Sequence, residues 1–180
     1  PLDLERIPEP WDGERRKEIV SAGRLDKQKN FPLLIRAFAK FYNSHPDYIL
    51  TIYGEGPLRA ELECLAASLL PQGSYSFPGN APQLLEQMRE AKVFVLSSSY
   101  EGMPNVIIEA MAMGLPVIST DCPSGGPAVL IESGKNGLLV PVGDVDELSR
   151  TISKVADSKE YALILGENAL FIRKRLRSDI

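Results

Sequence analysis

Two carboxylates, Glu101 and Glu109, are separated by seven residues in the stretch Glu101-Gly102-Met103-Pro104-Asn105-Val106-Ile107-Ile108-Glu109. Glu109 is the only charge between Asn105 and Gly114, in a run that is apolar on every side and therefore predicts a buried helix. An unsatisfied carboxylate inside such a helix costs on the order of several kcal/mol, so Glu109 needs partners. A neighbouring loop could supply them, or the hydroxyls of a ligand such as a ribose. Glu101 falls on the loop ahead of the helix, where a second carboxylate can face a pocket. The amides of Gly102, Met103, Pro104, Asn105 and Val106 follow at a positive helix end that suits an anion, although proline lacks the N–H.

Cations come from a second segment, Gly23-Arg24-Leu25-Asp26-Lys27-Gln28-Lys29-Asn30. Arg24 offers a planar fork for phosphate oxygens and Lys29 a mobile point charge, and both could equally be solvated loop cations. Asn30 is expected to cap the next helix and Pro32 to start it. The segment Gly54-Glu55-Gly56-Pro57-Leu58-Arg59 allows a tight turn close to a ligand or a plain strand-to-helix connection. It is not the dinucleotide fingerprint, because Arg59 stands where the third glycine would be. Gly79 and Asn80, and the run from Thr120 to Pro127, offer backbone amides to a base or a phosphate. Asp144-Val145-Asp146 spells a D-x-D that can hold a metal-bound diphosphate, but Glu147 three positions on makes a capping box the preferred reading. No metal site and no cofactor are expected.

Apolar strand-like runs alternate with amphipathic segments from Glu18 onward. Strands are predicted at 18–22, 48–53, 74–77, 92–97, 116–120 and 137–140. Helices are predicted at 30–43, 57–70, 81–90, 105–113, 125–133, 144–157 and 159–176. This order makes an α/β, Rossmann-like three-layer sandwich around a six-stranded parallel sheet, whose ligands bind outside the carboxyl ends of the strands. Residues 1–16, with three prolines and eight charges, are expected to be an arm or linker, and residues 17–180 the domain.

The chain has 180 residues, enough for one core without staples, and a formal charge of -4 that argues against a nucleic-acid partner. The basic cluster Arg173, Lys174, Arg175 and Arg177 is expected to be a solvated helix end, with contact to another domain or an anionic membrane as the alternative. Cys64 and Cys122 are expected to be reduced thiols, and a single histidine, His45, removes Ser-His-Asp and multi-histidine metal chemistry. No leader and no membrane-length apolar run is present, so an intracellular, soluble chain is expected.

Together these motifs resemble the glycosyl transferases group 1 family, a retaining class with the two-domain GT-B fold. The resemblance runs from Pro1-Leu2-Asp3, similar to an interdomain linker, to about Ser178. It is carried by Gly23-Arg24-Leu25 with Lys29-Asn30, by Tyr53-Gly54-Glu55-Gly56-Pro57-Leu58 and by the Glu101 and Glu109 pair, with support from Asp121-Cys122-Pro123-Ser124-Gly125 and Asn136-Gly137-Leu138-Leu139-Val140. It implies the C-terminal, donor-binding half of an enzyme that uses UDP-sugars, less readily GDP-sugars, in bacterial capsule, exopolysaccharide or lipopolysaccharide synthesis. Arg24 and Lys29 would then bind the diphosphate without a metal, Glu109 the ribose and the Gly79 region the uracil. Glu101 and the amides from Gly102 to Asn105 would contact the donor sugar and phosphate. Val129 stands where relatives carry an acid. The resemblance further implies an absent N-terminal half that binds the acceptor, a last helix cut at Ser178-Asp179-Ile180, and a cytoplasmic enzyme with peripheral contact at the inner face of the plasma membrane. The competing readings are a non-catalytic Rossmann-like interaction module and a nicotinamide or flavin oxidoreductase domain, the latter disfavoured by Arg59.

Overall fold

A computed structural model of the chain describes residues 4–178, so the linker motif Pro1-Leu2-Asp3 and the terminal Asp179-Ile180 lie outside the described residues. After a short 3₁₀ turn at Leu4–Arg6, strands and helices alternate: β1 (Arg16–Ala22), α1 (Phe31–Tyr42), β2 (Ile49–Tyr53), α2 (Arg59–Leu69), β3 (Tyr75–Gly79), α3 (Leu84–Met88), β4 (Ala91–Leu96), α4 (Asn105–Ala112), β5 (Val117–Thr120), α5 (Gly126–Leu130) and β6 (Leu138–Val140). The chain finishes with α6 (Val145–Ala156), α7 (Lys159–Ala169) and α8 (Ile172–Ser178).

The six strands pair in parallel, as expected from the alternating pattern, and lie in the order β3-β2-β1-β4-β5-β6. The order reverses between β1 and β4, whose pairing sets Ile19 against Val93 and Val20 against Phe94. At such a reversal the loops that leave the carboxyl ends of the two central strands are where a ligand site is expected. Alternation along each strand feeds two cores. Ile19, Ile52, Val93 and Val95 pack with Leu34, Phe38, Leu62 and Ile152 on one face. Val20, Phe94 and Leu96 pack with Met88, Ile107, Met111 and Ile172 on the other.

Local signals account for most of the boundaries. Pro32 sits in the first turn of α1. Asp144 caps α6 by accepting from the Glu147 amide at 2.9 Å, as its spacing predicts, and Ser158 caps α7 in the same way. Gly114, at φ +66°, ends α4 in a left-handed turn in which the Leu115 amide donates back to Ala110 O. Among the described residues, no helix is long and apolar enough to cross a membrane.

Four expectations change. Asn30 precedes α1 but adopts φ +46° and makes no side-chain capping bond. The helices expected at 81–90 and 125–133 shrink to one short turn each. The single helix expected over 159–176 is broken at Leu170 and Phe171, where bonds tighten to Leu170 N with Glu167 O and Phe171 N with Asn168 O. The break follows from packing. Ala162 and Leu165 belong to one core, whereas Ala169 and Ile172 belong to the other.

The fourth change concerns the arm and the basic cluster. Ile7 is buried in the second core. Arg173 is not a solvated cation, because its guanidinium donates to Ala112 O at 2.6 Å and to Pro8 O at 2.7 Å and so ties α8 and the arm to the end of α4. At the other end of the arm, Arg15 donates to Arg89 O, Ala91 O and Gly114 O. Burial lowers its guanidinium to about 10.

The crossing of α7 over the end of α4 depends on Gly166. A methyl group there would lie 2.3 Å from Gly114 O. Helix propensity alone favours Gly166→Ala by about 1 kcal/mol, but the collision is with backbone and costs more, at the upper end of about 1–3 kcal/mol. The variant should melt several degrees below the wild type by calorimetry. An equal or higher Tm would contradict this packing.

Candidate functional site

The site begins where the β1 and β4 loops are stitched together beyond the carboxyl ends of the central strands. The Ser99 amide donates to Gln28 O at 2.9 Å, and the buried Ser97 hydroxyl donates to Lys29 O at 2.8 Å. These bonds fix the backbone on which Lys29 and Glu101 stand. Lys29 Nζ then meets Glu101 Oε1 at 2.5 Å, with both side chains mostly withdrawn from water. Glu101 is only 6% exposed and gathers further donors: Ser98 Oγ lies 2.7 Å from Oε1, and Gln28 Nε2 is 3.5 Å from Oε2. A third loop closes over the pair. The Glu101 amide donates to Pro123 O at 3.3 Å, and a methyl group on Gly126 would lie 1.4 Å from Gly102 O. Only glycine permits that approach.

The expected glycines have concrete tasks. Gly23 leaves the space in which the Lys29 stem runs, since a methyl group there would sit 3.1 Å from Lys29 Cε. Gly54 and Gly56 admit the β1 loop: methyl groups at these positions would lie 1.9 Å from Gly23 O and 2.5 Å from Leu25 O. Two ladder-like bonds, Gly23 N to Tyr53 O and Leu25 N to Glu55 O, hold the loops in register. Gly79, at φ +79°, accepts from the Gly54 amide and carries the chain to exposed Asn80. Gly23, Arg24, Gly54, Gly56 and Asn80 thereby line a cleft of about 640 Å³ at the carboxyl ends of β1, β2 and β3. Arg24 projects from its wall with a side chain 69% exposed, 3.7 Å from Asp26.

Glu109 is half-buried in the first turns of α4, and its carboxylate has no hydrogen-bond or ion-pair partner among the described residues. Burial pushes its carboxyl above the usual range, and no cation among the described residues draws it down. The loop satisfaction considered as an alternative is not observed. Pro104 occupies the N-cap of α4 and provides no side-chain cap, so the first amides of the helix, from Asn105 and Val106, keep their positive end open. Gly102, Met103 and Asn105 in the same turn are exposed.

The predicted residues thus fall into three groups. Lys29 and Glu101 touch. Gly23, Arg24, Gly54, Gly56 and Asn80 share a cleft, with Gly79 just behind it. Glu109 and the Gly102–Val106 turn form the β4 side. The sequence reading missed Ser98, Gln28 and Gly126. Ser98 and Gln28 look like ordinary loop polars, and only the contact with Glu101 distinguishes them. Gly126 had a signal in Ser124-Gly125-Gly126-Pro127, but not a partner. Elsewhere, Asp146 pairs with Lys40 on the surface, while His45 stacks on Phe41 and meets Asp157 at 2.6 Å. Cys64 and Cys122 are both free.

Residues 5–170 match the family described as Glycosyl transferases group 1. A lipopolysaccharide core biosynthesis glycosyltransferase of Rhizobium meliloti is 35% identical over 166 residues, covering 92% of this chain and 46% of that protein. An exopolysaccharide phosphotransferase of Streptomyces coelicolor is 34% identical over 178 residues, covering 97% of this chain and 19% of that protein. The chain therefore spans less than half the length of these relatives. The crystal structure of the C-terminal domain of a glycosyl transferase group 1 family protein from Francisella tularensis superposes with TM-score 0.85 at 19% identity, covering 97% of each chain. The TarM structure from S. aureus, in a complex that includes UDP, superposes with TM-score 0.88 at 22% identity over 94% of this chain and 34% of its own. On this match the chain belongs to the glycosyl transferases group 1 family, with the fold of the C-terminal half of a GT-B protein.

Proposed function

We propose that this chain is the donor-binding half of a retaining, metal-independent glycosyltransferase that moves a sugar from a UDP-sugar to a glycan or lipid-linked acceptor in bacterial surface polysaccharide synthesis. Glu109 is the observation that carries the proposal. A half-buried carboxylate with no donor among the described residues, beside an uncapped helix start, is stabilised once a ligand brings hydroxyls and an anion together. Ribose hydroxyls and a diphosphate meet that description. The family's surface-polysaccharide relatives and the UDP in TarM favour the same ligand.

In the reaction, negative charge builds on the leaving diphosphate as its bond to the sugar breaks. Arg24, Lys29 and the α4 amides meet that charge, and because it is greatest after cleavage begins they stabilise the transition state more than the ground state. Fixed cations take the place of a metal. Glu101, held at the carboxyl end of β4, lends a negative potential to a sugar that becomes oxocarbenium-like, and its carboxylate borders the sugar hydroxyls. Glu109 accepts from the ribose, while the backbone at Gly79 and Asn80 borders the uracil. The acceptor is brought by an N-terminal half, so turnover needs both halves. Such an enzyme works in the cytoplasm, at the inner face of the membrane where lipid-linked acceptors are presented.

In the two-domain enzyme, Glu109→Ala and Lys29→Ala should each lower turnover at least tenfold, about 1.4 kcal/mol in barrier. Wild-type rates from either variant would remove the role assigned to it. Burial disfavours the charged Glu109, whereas ribose hydroxyls favour it. UDP affinity should therefore weaken as pH falls through the raised Glu109 carboxyl, and Glu109→Gln should lose that part of the pH dependence. Identical pH profiles for the two proteins, measured by calorimetry, would argue against the ribose contact. Adding a chelator should leave turnover unchanged. Strict dependence on Mg or Mn would contradict metal independence and return attention to Asp144 and Asp146.

A further inference from the structure

Ser98 stands at the end of β4 with its side chain fully buried, and its carbonyl is held by Thr120 Oγ1 at 2.6 Å. Its hydroxyl donates at 2.7 Å to Glu101 Oε1, the same oxygen that Lys29 Nζ reaches at 2.5 Å. On the other side of the carboxylate, Gln28 Nε2 bridges Tyr100 O at 3.1 Å and Glu101 Oε2 at 3.5 Å. A buried hydroxyl bonded to a carboxylate contributes more than a neutral pair would, and it fixes the plane of the carboxyl group.

We propose that Ser98, assisted by Gln28, is a positioning residue that orients the Glu101 carboxylate so that it presets the Lys29 ammonium. A lysine side chain has a long, freely rotating stem, and restraining it before a ligand arrives shifts that entropic cost from binding to folding. The Lys29 stem is already confined against Gly23 along its length. What remains is the direction of its end, which the Glu101 oxygen sets. The loop carrying Ser98 is in turn joined to the loop carrying Lys29 by the Ser97 and Ser99 bonds, so the clamp is rigid on both sides. That the preset ammonium serves a diphosphate rests on the donor-binding reading. Its orientation by Ser98 is a property of the chain itself.

Lysine-ammonium NMR on the 180-residue chain, with UDP titrations followed by calorimetry, tests both parts. The wild type should show one ammonium signal protected from rapid exchange that disappears in Lys29→Arg. Ser98→Ala removes a single buried oxygen and should lose that signal and weaken UDP binding at least fivefold. Ser98→Thr, which keeps the hydroxyl, should retain both. Gln28→Ala acts from a partly exposed position outside both cores, and should broaden the signal with a smaller loss of affinity. A Ser98→Ala protein with the wild-type signal would overturn the proposal, whatever its affinity. If Ser98→Ala loses the signal but the folded wild type binds no UDP, the positioning role stands and the donor-binding reading falls.

Discussion

Lys29 and Glu101 form an ion pair drawn mostly out of water, at the point where the strand order of the sheet reverses. Removing two charges from water is unfavourable unless each finds further hydrogen bonds, so a pair of this kind constrains its surroundings. Ser98 and Gln28 serve the carboxylate, the backbone of both loops is tied by the Ser97 and Ser99 bonds, and the Asp121–Gly125 loop closes over the top through Pro123. The pair also sets a requirement on glycines. Gly23 must leave room for the Lys29 stem, and Gly126 must let α5 reach the Gly102 carbonyl.

The neighbouring cleft follows from the same economy of space. Because Gly54 and Gly56 lack side chains, the β1 and β2 loops bond to one another as a continuation of the sheet, and Arg24 is displaced outward over the cleft. On the β4 side, Pro104 starts α4 without capping it, so the helix presents bare amides close to a carboxylate that has no partner among the described residues. An uncapped helix end beside a half-buried acid without a partner among the described residues adds nothing to the stability of the fold. On the proposed reading, a ligand with an anion and hydroxyls gives both a function.

Much of this was legible in the sequence. Six apolar runs separated by amphipathic segments are the direct signature of a parallel sheet, and each predicted strand overlaps an observed one. The prominence of Glu109 came from its isolation in an apolar helix, a physical oddity visible without coordinates. Contacts between distant loops were less legible. The meeting of Ser98 and Gln28 with Glu101 depends on how the β1 and β4 loops pack, and nothing in either segment alone announces it. The broken helix at Leu170 and the anchoring of Arg173 by the arm were invisible for the same reason. Helical periodicity continues through the break, and a run of arginines looks solvated until its carbonyl partners are known.

The central claim is that the site formed by the β1, β2 and β4 loops at the carboxyl edge of the sheet binds a nucleoside diphosphate through Lys29, Arg24 and Glu109. NMR titration of the folded chain with UDP, in the presence of a chelator, tests it most directly. The account predicts saturable binding with shifts concentrated in the amides of Gly23 to Lys29 and Glu101 to Glu109. A folded sample whose spectrum does not change even at roughly millimolar UDP, an affinity weaker than about 4 kcal/mol, would contradict it.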